Sequence, residues 1–147
     1  MPHIDFTSKA KHILTTERLT LKALDPDKIS ENYICWLKDP EIYQFLETRH
    51  SEQNLETISS FVRSINESNH SWLFGIFLSN TEAHIGNIKI DPINYNNNSG
   101  EYGIMMGDKT EWGKGYAKEA SKAILNFCFS ENLQLRKVTL GVVAENE

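Results

Sequence analysis

Two glycines flank a lysine in the run Trp112-Gly113-Lys114-Gly115-Tyr116-Ala117, where an extended segment gives way to a helical one. Glu101 to Met106 reads as the strand, and Tyr116 to Asn132 reads as the helix. Glycines leave such a turn free of Cβ atoms, so backbone N–H groups can approach a ligand closely. The first turn of a helix adds unpaired N–H donors and a partial positive charge, which together favour an anion such as phosphate. Lys114 and Lys118 place further positive charge on the same stretch. The competing reading is a strand-to-helix turn that holds no ligand. Gly113-Lys114-Gly115 lacks the spacing of a Walker loop, and the chain shows no Ser/His/Asp triad and no cluster with metal-ligand spacing. A dinucleotide fold would also want an acidic residue on a following strand about 20 residues on, which is missing.

A chain of 147 residues is long enough for one domain with its own core and too short for two ordinary ones. A formal charge of −5, with no basic run, argues against a nucleic-acid partner held through phosphates. No apolar run reaches transmembrane length, and Met1 to Lys11 is too polar for a secretory signal. Cys35 and Cys128 lie in apolar helical patterns and read as buried free thiols, in keeping with a reducing, cytoplasmic location.

The elements that must position the glycine turn follow from hydrophobic period. Leu14 to Leu24 reads as a first strand, with Leu19, Leu21 and Ala23 on one face and Arg18, Thr20 and Lys22 on the other. Asp25-Pro26 predicts a helix start, followed by Ile29, Tyr33, Trp36 and Leu37 at helical spacing. Asp39-Pro40 predicts a second, short helix through Ile42, Phe45 and Leu46. Ser51 is a cap for a third, with Leu55, Ile58, Phe61, Val62 and Ile65 in one stripe. Trp72 to Leu78 and His84 to Ile90 then predict an antiparallel hairpin, with Gly75 and Gly86 marking bulges or close backbone approaches. Asp91 to Gly100 reads as a polar loop. Ala117, Ala120, Ile124, Phe127 and Cys128 form the buried face of the long helix, and Val138 to Val143 reads as a buried strand. One strand, two or three helices, three strands, a helix and a strand make an α+β domain with a mixed sheet.

This pattern resembles the GNAT superfamily of acyl-CoA-dependent N-acetyltransferases, and within it the RimJ/RimL-like, ribosomal-protein-alanine acetyltransferase branch. The resemblance covers about Thr16 to Glu147. It rests on Glu17-Arg18-Leu19-Thr20-Leu21, Trp36-Leu37-Lys38-Asp39-Pro40-Glu41, His84-Ile85-Gly86-Asn87-Ile88, and Trp112 to Ala117 with Glu119-Ala120. It implies a mostly antiparallel central sheet flanked by helices and acetyl-CoA as cofactor. The family's pyrophosphate signature, Q/R-x-x-G-x-G/A, falls on Trp112 to Ala117, with Trp112 departing at the Gln/Arg position. By resemblance, the N–H groups of Gly113, Lys114, Gly115, Tyr116 and Ala117 would hold the coenzyme A pyrophosphate. Ile104, Met105 and Met106 would pair through their backbone with pantetheine, and Asn146 matches a family asparagine that contacts it. The family's following helix, with its thiolate-protonating tyrosine, and its closing hairpin have no counterpart before Glu147. The expectation is therefore a single domain over 1–147 that is C-terminally incomplete, with an open edge that favours a homodimer.

Acetyl transfer to a primary amine needs the neutral amine, so a base or water chain must take a proton. Glu101, at the head of the cofactor-pairing strand, is the first candidate, and Tyr102 and His84 are the second choices. Arg49-His50 falls where this family admits its acceptor and is a weak substrate-binding candidate. Tyr33, Trp36 and Trp72 read as core aromatics, and Trp112 either covers the cofactor loop or packs beneath it. The implied function is transfer of an acetyl group to a protein N-terminal amine or a small-molecule amine. An acyl-CoA-binding module without turnover is the alternative.

Overall fold

The computed structural model describes residues 6–39, 54–130 and 133–140. Its frame is a six-stranded sheet whose strands lie side by side in chain order: β1 (Leu14–Thr15), β2 (Leu19–Ala23), β3 (Trp72–Leu78), β4 (His84–Asn94), β5 (Ser99–Met106) and β6 (Lys137–Leu140). Every neighbouring pair is antiparallel except β5 with β6, which is parallel. The described helices are α1 (Phe6–Lys9), α2 (Glu31–Trp36), α3 (Leu55–Glu67) and α4 (Tyr116–Phe129). This is the mixed, mostly antiparallel α+β sheet that the sequence predicts.

Alternation along the strands builds two apolar layers, one on each face. On one face α4 lays Ala120, Ile124, Phe127 and Cys128 over Leu19, Leu21, Phe74, Ile76, Ile88, Ile90 and Tyr102. On the other, α2 and α3 bring Tyr33, Trp36, Ile58, Val62 and Ile65 onto Leu24 and Leu73, with Phe77 and Met105 packed alongside. α3 is closed at its start by a reciprocal capping box between Asn54 and Thr57. At its end the Lys9 ammonium, only 1% exposed, donates to the carbonyls of Ile65 (2.9 Å), Ser68 (2.9 Å) and Ser71 (2.6 Å). Burial pushes that amine down to about 8, yet three carbonyl acceptors call for the three N–H donors of the charged form.

Several expectations change. The first strand is broken into β1 and β2, because Thr16-Glu17-Arg18 turns the chain so that Leu14 pairs with Leu21 and Thr15 with Thr20. Asp25 caps only a turn, accepting from the Asp27 N–H at 2.9 Å. α2 starts instead after Ser30, whose hydroxyl accepts from the Tyr33 N–H. The predicted polar loop from Asp91 is largely strand: β4 continues to Asn94 through a register shift between Ile90 and Ile93, and only Tyr95–Asn98 turns. α4 ends at Phe129, where Ser130 caps it, and Ala117 is half-buried. Cys35 is exposed, since it falls off the apolar stripe of α2, while Cys128 is buried and its thiol is pushed up to about 11. β6 is not buried as predicted: Lys137, Thr139 and Leu140 are exposed, and its pairing is with β5 alone among the described strands. The predicted helix at Ile42, Phe45 and Leu46, the cap at Ser51 and the run 141–143 lie outside the described residues.

Candidate active site

β5 leads directly into the glycine turn. After Met106 the chain passes Gly107, where any Cβ would run into the indole of Trp36, so the strand end is pressed against α2. Asp39, just after α2, pairs with Lys109 at 2.8 Å and ties the same two segments together. Asp108 caps a 3-10 turn at Lys109–Glu111 by accepting from the Thr110 N–H. Trp112 follows, 47% exposed, and its indole N–H donates to the Met106 carbonyl at 2.7 Å. Trp112 thus latches the loop back onto the strand it left. The sequence left open whether it covers the loop or packs beneath it.

Gly113 and Gly115 both adopt left-handed backbone, with φ of +79° and +82°. An L side chain at either position would be strained. A Cβ on Gly113 would meet nothing within 4 Å, and one on Gly115 only the Arg18 guanidinium at 3.5 Å. The space beside both glycines is therefore open. Gly115 is the N-cap of α4 and supplies no side-chain bond to its first turn, which leaves those N–H donors available to an anion. Lys114 bonds Glu111 at 3.0 Å, which holds its amine above the usual lysine range.

A second set of contacts reaches this loop from the turn between β1 and β2. The Arg18 guanidinium donates to Glu119 Oε1 (2.8 Å) and to the Lys114 carbonyl (3.0 Å), and it lies 4.3 Å over the Tyr116 ring. The Arg18 backbone N–H and the Thr16 hydroxyl both donate to Glu119 Oε2. Partial burial of Glu119 works to raise its carboxyl. The bonds from Thr16 and Arg18 prevail and hold it below the usual range. Sequence reasoning missed this arrangement. Arg18 and Glu119 are 101 residues apart, and only an arginine on a strand's polar face and a glutamate in a helix's first turn hint at it.

Along β5, Tyr102, Ile104 and Met106 face the α4 layer, while Glu101, Gly103 and Met105 face the side of α2 and α3. β4 pairs with β5 through Met106, but β6 pairs with it only over Ser99–Tyr102. Among the described strands, Gly103–Met106 therefore has a partner on one side only. Glu101 is exposed and sits opposite Thr139. Four residues of strand place it about 13 Å from Met105 on the same face. Tyr102 is 7% exposed and belongs to the α4 core.

His84 is 4% exposed and stacks on Phe77, with Tyr33 and Trp36 edge-on. The Ser30 hydroxyl, already accepting from Tyr33 N–H, bonds His84 Nδ1 at 2.7 Å; His84 Nε2 bonds Asn87 Oδ1 at 2.7 Å. These partners assign the proton to Nε2 and leave the ring neutral. Burial pushes the imidazole down to about 4, with Asn87 and the Gly86 backbone opposing and Lys22 adding to the shift. Asn87 also bonds the Tyr33 phenol, which burial raises, and it lies opposite Met105 in the sheet register. Sequence reasoning missed Ser30 and Asn87 as the partners of this histidine. Arg49, His50 and Asn146 lie outside the described residues. Among the described residues no group of three His, Cys, Asp or Glu could hold a metal ion, and no helix is long and apolar enough to cross a membrane.

Comparison with known proteins agrees with this geometry. The acetyltransferase (GNAT) domain model matches residues 18–147. The uncharacterized N-acetyltransferase p20 of Bacillus licheniformis is 26% identical over 136 residues, covering 90% of this chain and 74% of that protein. A Vibrio cholerae structure assigned as a ribosomal-protein-serine acetyltransferase superposes with a TM-score of 0.72 at 22% identity, over 94% of this chain and 78% of its own. A GNAT-family acetyltransferase from Bacillus anthracis gives 0.73 at 18% identity, covering 92% and 76%. A chimera of the Vibrio cholerae spermidine N-acetyltransferase SpeG with hSSAT gives 0.71 at 24%, covering 87% and 72%. The family match runs from Arg18 through strands β2 to β6 and the glycine loop, and the chain belongs to the GNAT acetyltransferases as a GNAT-family N-acetyltransferase.

Proposed function

We propose that this chain uses acetyl-CoA and moves its acetyl group to a primary amine, either a protein N-terminal amine or a small-molecule amine. The observation that carries the reading is the pair of left-handed glycines at the start of α4, open to ligand and without a side-chain cap. A pyrophosphate suits that cradle, because backbone donors and the helix end both favour negative charge. The cofactor, when bound, supplies the activated acyl group. Gly113 to Ala117 would hold its pyrophosphate, and the one-sided stretch of β5 at Ile104, Met105 and Met106 would hold its pantetheine by backbone pairing. A strand N–H there can polarise the acyl carbonyl as an oxyanion hole does. Asn146 would add a pantetheine contact, and Arg49 with His50 an acceptor contact. The RimJ/RimL-like pattern supports the protein-amine acceptor; the spermidine enzyme among the structural neighbours keeps small amines in view.

Deprotonation of the acceptor amine falls to Glu101 acting through water. It is solvent-exposed, on the face shared with Met105, and about 13 Å away along the strand, so at least one water must carry the proton. Tyr102 and His84 suit this role less well. Tyr102 belongs to the apolar α4 layer, and both His84 nitrogens are already bonded within the core. The test is titration calorimetry with acetyl-CoA on the wild type and Gly115→Val, followed by an acceptor screen reading free-thiol release. Gly115→Val should abolish measurable binding, since a β-branched residue is strained at φ +82° and fills the approach. Unchanged affinity would remove the phosphate-loop assignment.

A further inference from the structure

We infer that Arg18 is a positioning residue for the cofactor loop, fixing the turn at Gly113–Gly115 and masking a carboxylate that would otherwise oppose the anion. The inference rests on the reading of Gly113 to Ala117 as the pyrophosphate cradle. Two glycines in six residues make a loop that loses much conformational freedom when it is ordered. Gly113, Lys114 and Gly115 are exposed, and the N-cap offers no side chain of its own. Beyond the Lys114–Glu111 pair, order must come from outside the loop. Trp112 fixes one end to the Met106 carbonyl. Arg18 fixes the other, because its fork spans the Lys114 carbonyl and Glu119 while its plane covers Tyr116.

Charge gives the second half of the argument. Glu119 lies in the first turn of α4, within one turn of the donors that would receive phosphate. A bare carboxylate there stabilises the helix but repels a bound anion. Both of its oxygens are taken, Oε1 by the guanidinium and Oε2 by the Thr16 hydroxyl and the Arg18 N–H. The pair is neutral as a unit, so the helix end keeps its pull on phosphate.

Isothermal titration of acetyl-CoA into wild type, Arg18→Ala, Arg18→Lys and the double variant Arg18→Ala/Glu119→Gln tests this, with urea midpoints recorded without ligand. Arg18→Ala should weaken binding by about tenfold, the scale of a lost preorganising contact plus one exposed like charge. Arg18→Lys should fall well short of rescue, because an ammonium cannot span Lys114 and Glu119 as a fork does. It carries the same prediction should the alanine variant fail to fold. The double variant should regain part of the affinity, since the repelling charge is gone; a purely structural pair would show no such recovery. Affinity unchanged in Arg18→Ala, or a double variant no better than the single, overturns the inference. A wild type that does not bind acetyl-CoA overturns the cradle reading beneath it instead.

Discussion

His84 should make this fold acid-labile in a defined window. The neutral ring sits between Ser30 and Asn87 and resists protonation until about pH 4. An unfolded histidine titrates near 6.5, so between those values the unfolded chain binds the extra proton and the folded chain does not. Stability therefore falls as pH drops from 6.5 towards 4. At 1.36 kcal/mol per unit, a shift of that size corresponds to about 3 kcal/mol across the window. Protonation would also put a positive charge near Lys22 and force Nδ1, now an acceptor for Ser30, to become a donor. Because Ser30 caps α2, the loss should be felt first in the layer that α2 and α3 form. Urea unfolding followed by circular dichroism at half-unit steps from pH 7 to 4 measures it, on wild type and His84→Gln. The variant should start less stable at pH 7 and show a shallower slope, the difference approaching 1.4 kcal/mol per unit. A ring titration by NMR gives a check that does not depend on the variant folding. Equal slopes, or a His84 ring that titrates near 6.5 in the folded chain, would show that His84 does not set this acid sensitivity.

Glu101→Gln should lower kcat/KM by roughly 10²-fold with acetyl-CoA affinity retained; an unchanged rate would move the proton to another acceptor. Gly107→Ala should destabilise the chain by about 3 kcal/mol, because the new methyl overlaps Trp36 and the buried indole has no room to retreat. A urea midpoint close to wild type would contradict that. Lys9→Met should cost about 2 kcal/mol by leaving the carbonyls of Ile65, Ser68 and Ser71 without their shared donor. Loss of hydrogen-exchange protection at the end of α3 is the local readout, and a protected end would show that the contact is dispensable.

What was legible in the sequence follows the range of the interactions involved. The strand faces at Leu19, Leu21 and Ala23, the stripe of α3 and the glycine turn are local patterns, each set by residues a few positions apart, and the structure keeps them, except that Leu55 at the start of the α3 stripe is exposed. Gly75 and Gly86 were read as bulges or close backbone approaches: a Cβ on Gly86 would strike the backbone of Met105, as read, whereas one on Gly75 would strike the side chains of Leu24 and Phe77, and the register shift falls just after it, between Ile76 and Phe77. The helix start at Asp25-Pro26 failed because Ser30 offers a competing cap that also reaches His84, a contact 54 residues away that no local pattern carries. β6 was misjudged because an apolar β-branched run looks the same at an edge as in the centre of a sheet. Lys9 and the Arg18–Glu119 pair were illegible for the same reason as His84: their partners are distant in the chain.

Those distant polar contacts divide the molecule in a way that bears on chemistry. The α4 face of the sheet is a continuous apolar layer, with Tyr102, Ile104 and Met106 turned into it or towards it. The α2 and α3 face carries the buried polar residues His84, Asn87 and Tyr33 with the half-buried Ser30, and Asn87 lies opposite Met105 on the neighbouring strand. Every polar atom named in that group has a partner, so the group braces the strand end without offering a free base. Trp36 presses on Gly107 from the same side, and Asp39 reaches Lys109 just beyond it. The end of β5 is thus held from the α2 side by packing and from the loop side by Trp112, while its edge beyond Tyr102 has no strand partner among the described residues. A strand fixed along one edge and open along the other is preorganised to pair with an extended ligand, since the ordering cost is met in folding and not on binding. If Glu101, on the solvent-facing part of the same strand, takes the acceptor's proton as proposed, it does so outside that braced group, whose named polar atoms are already partnered.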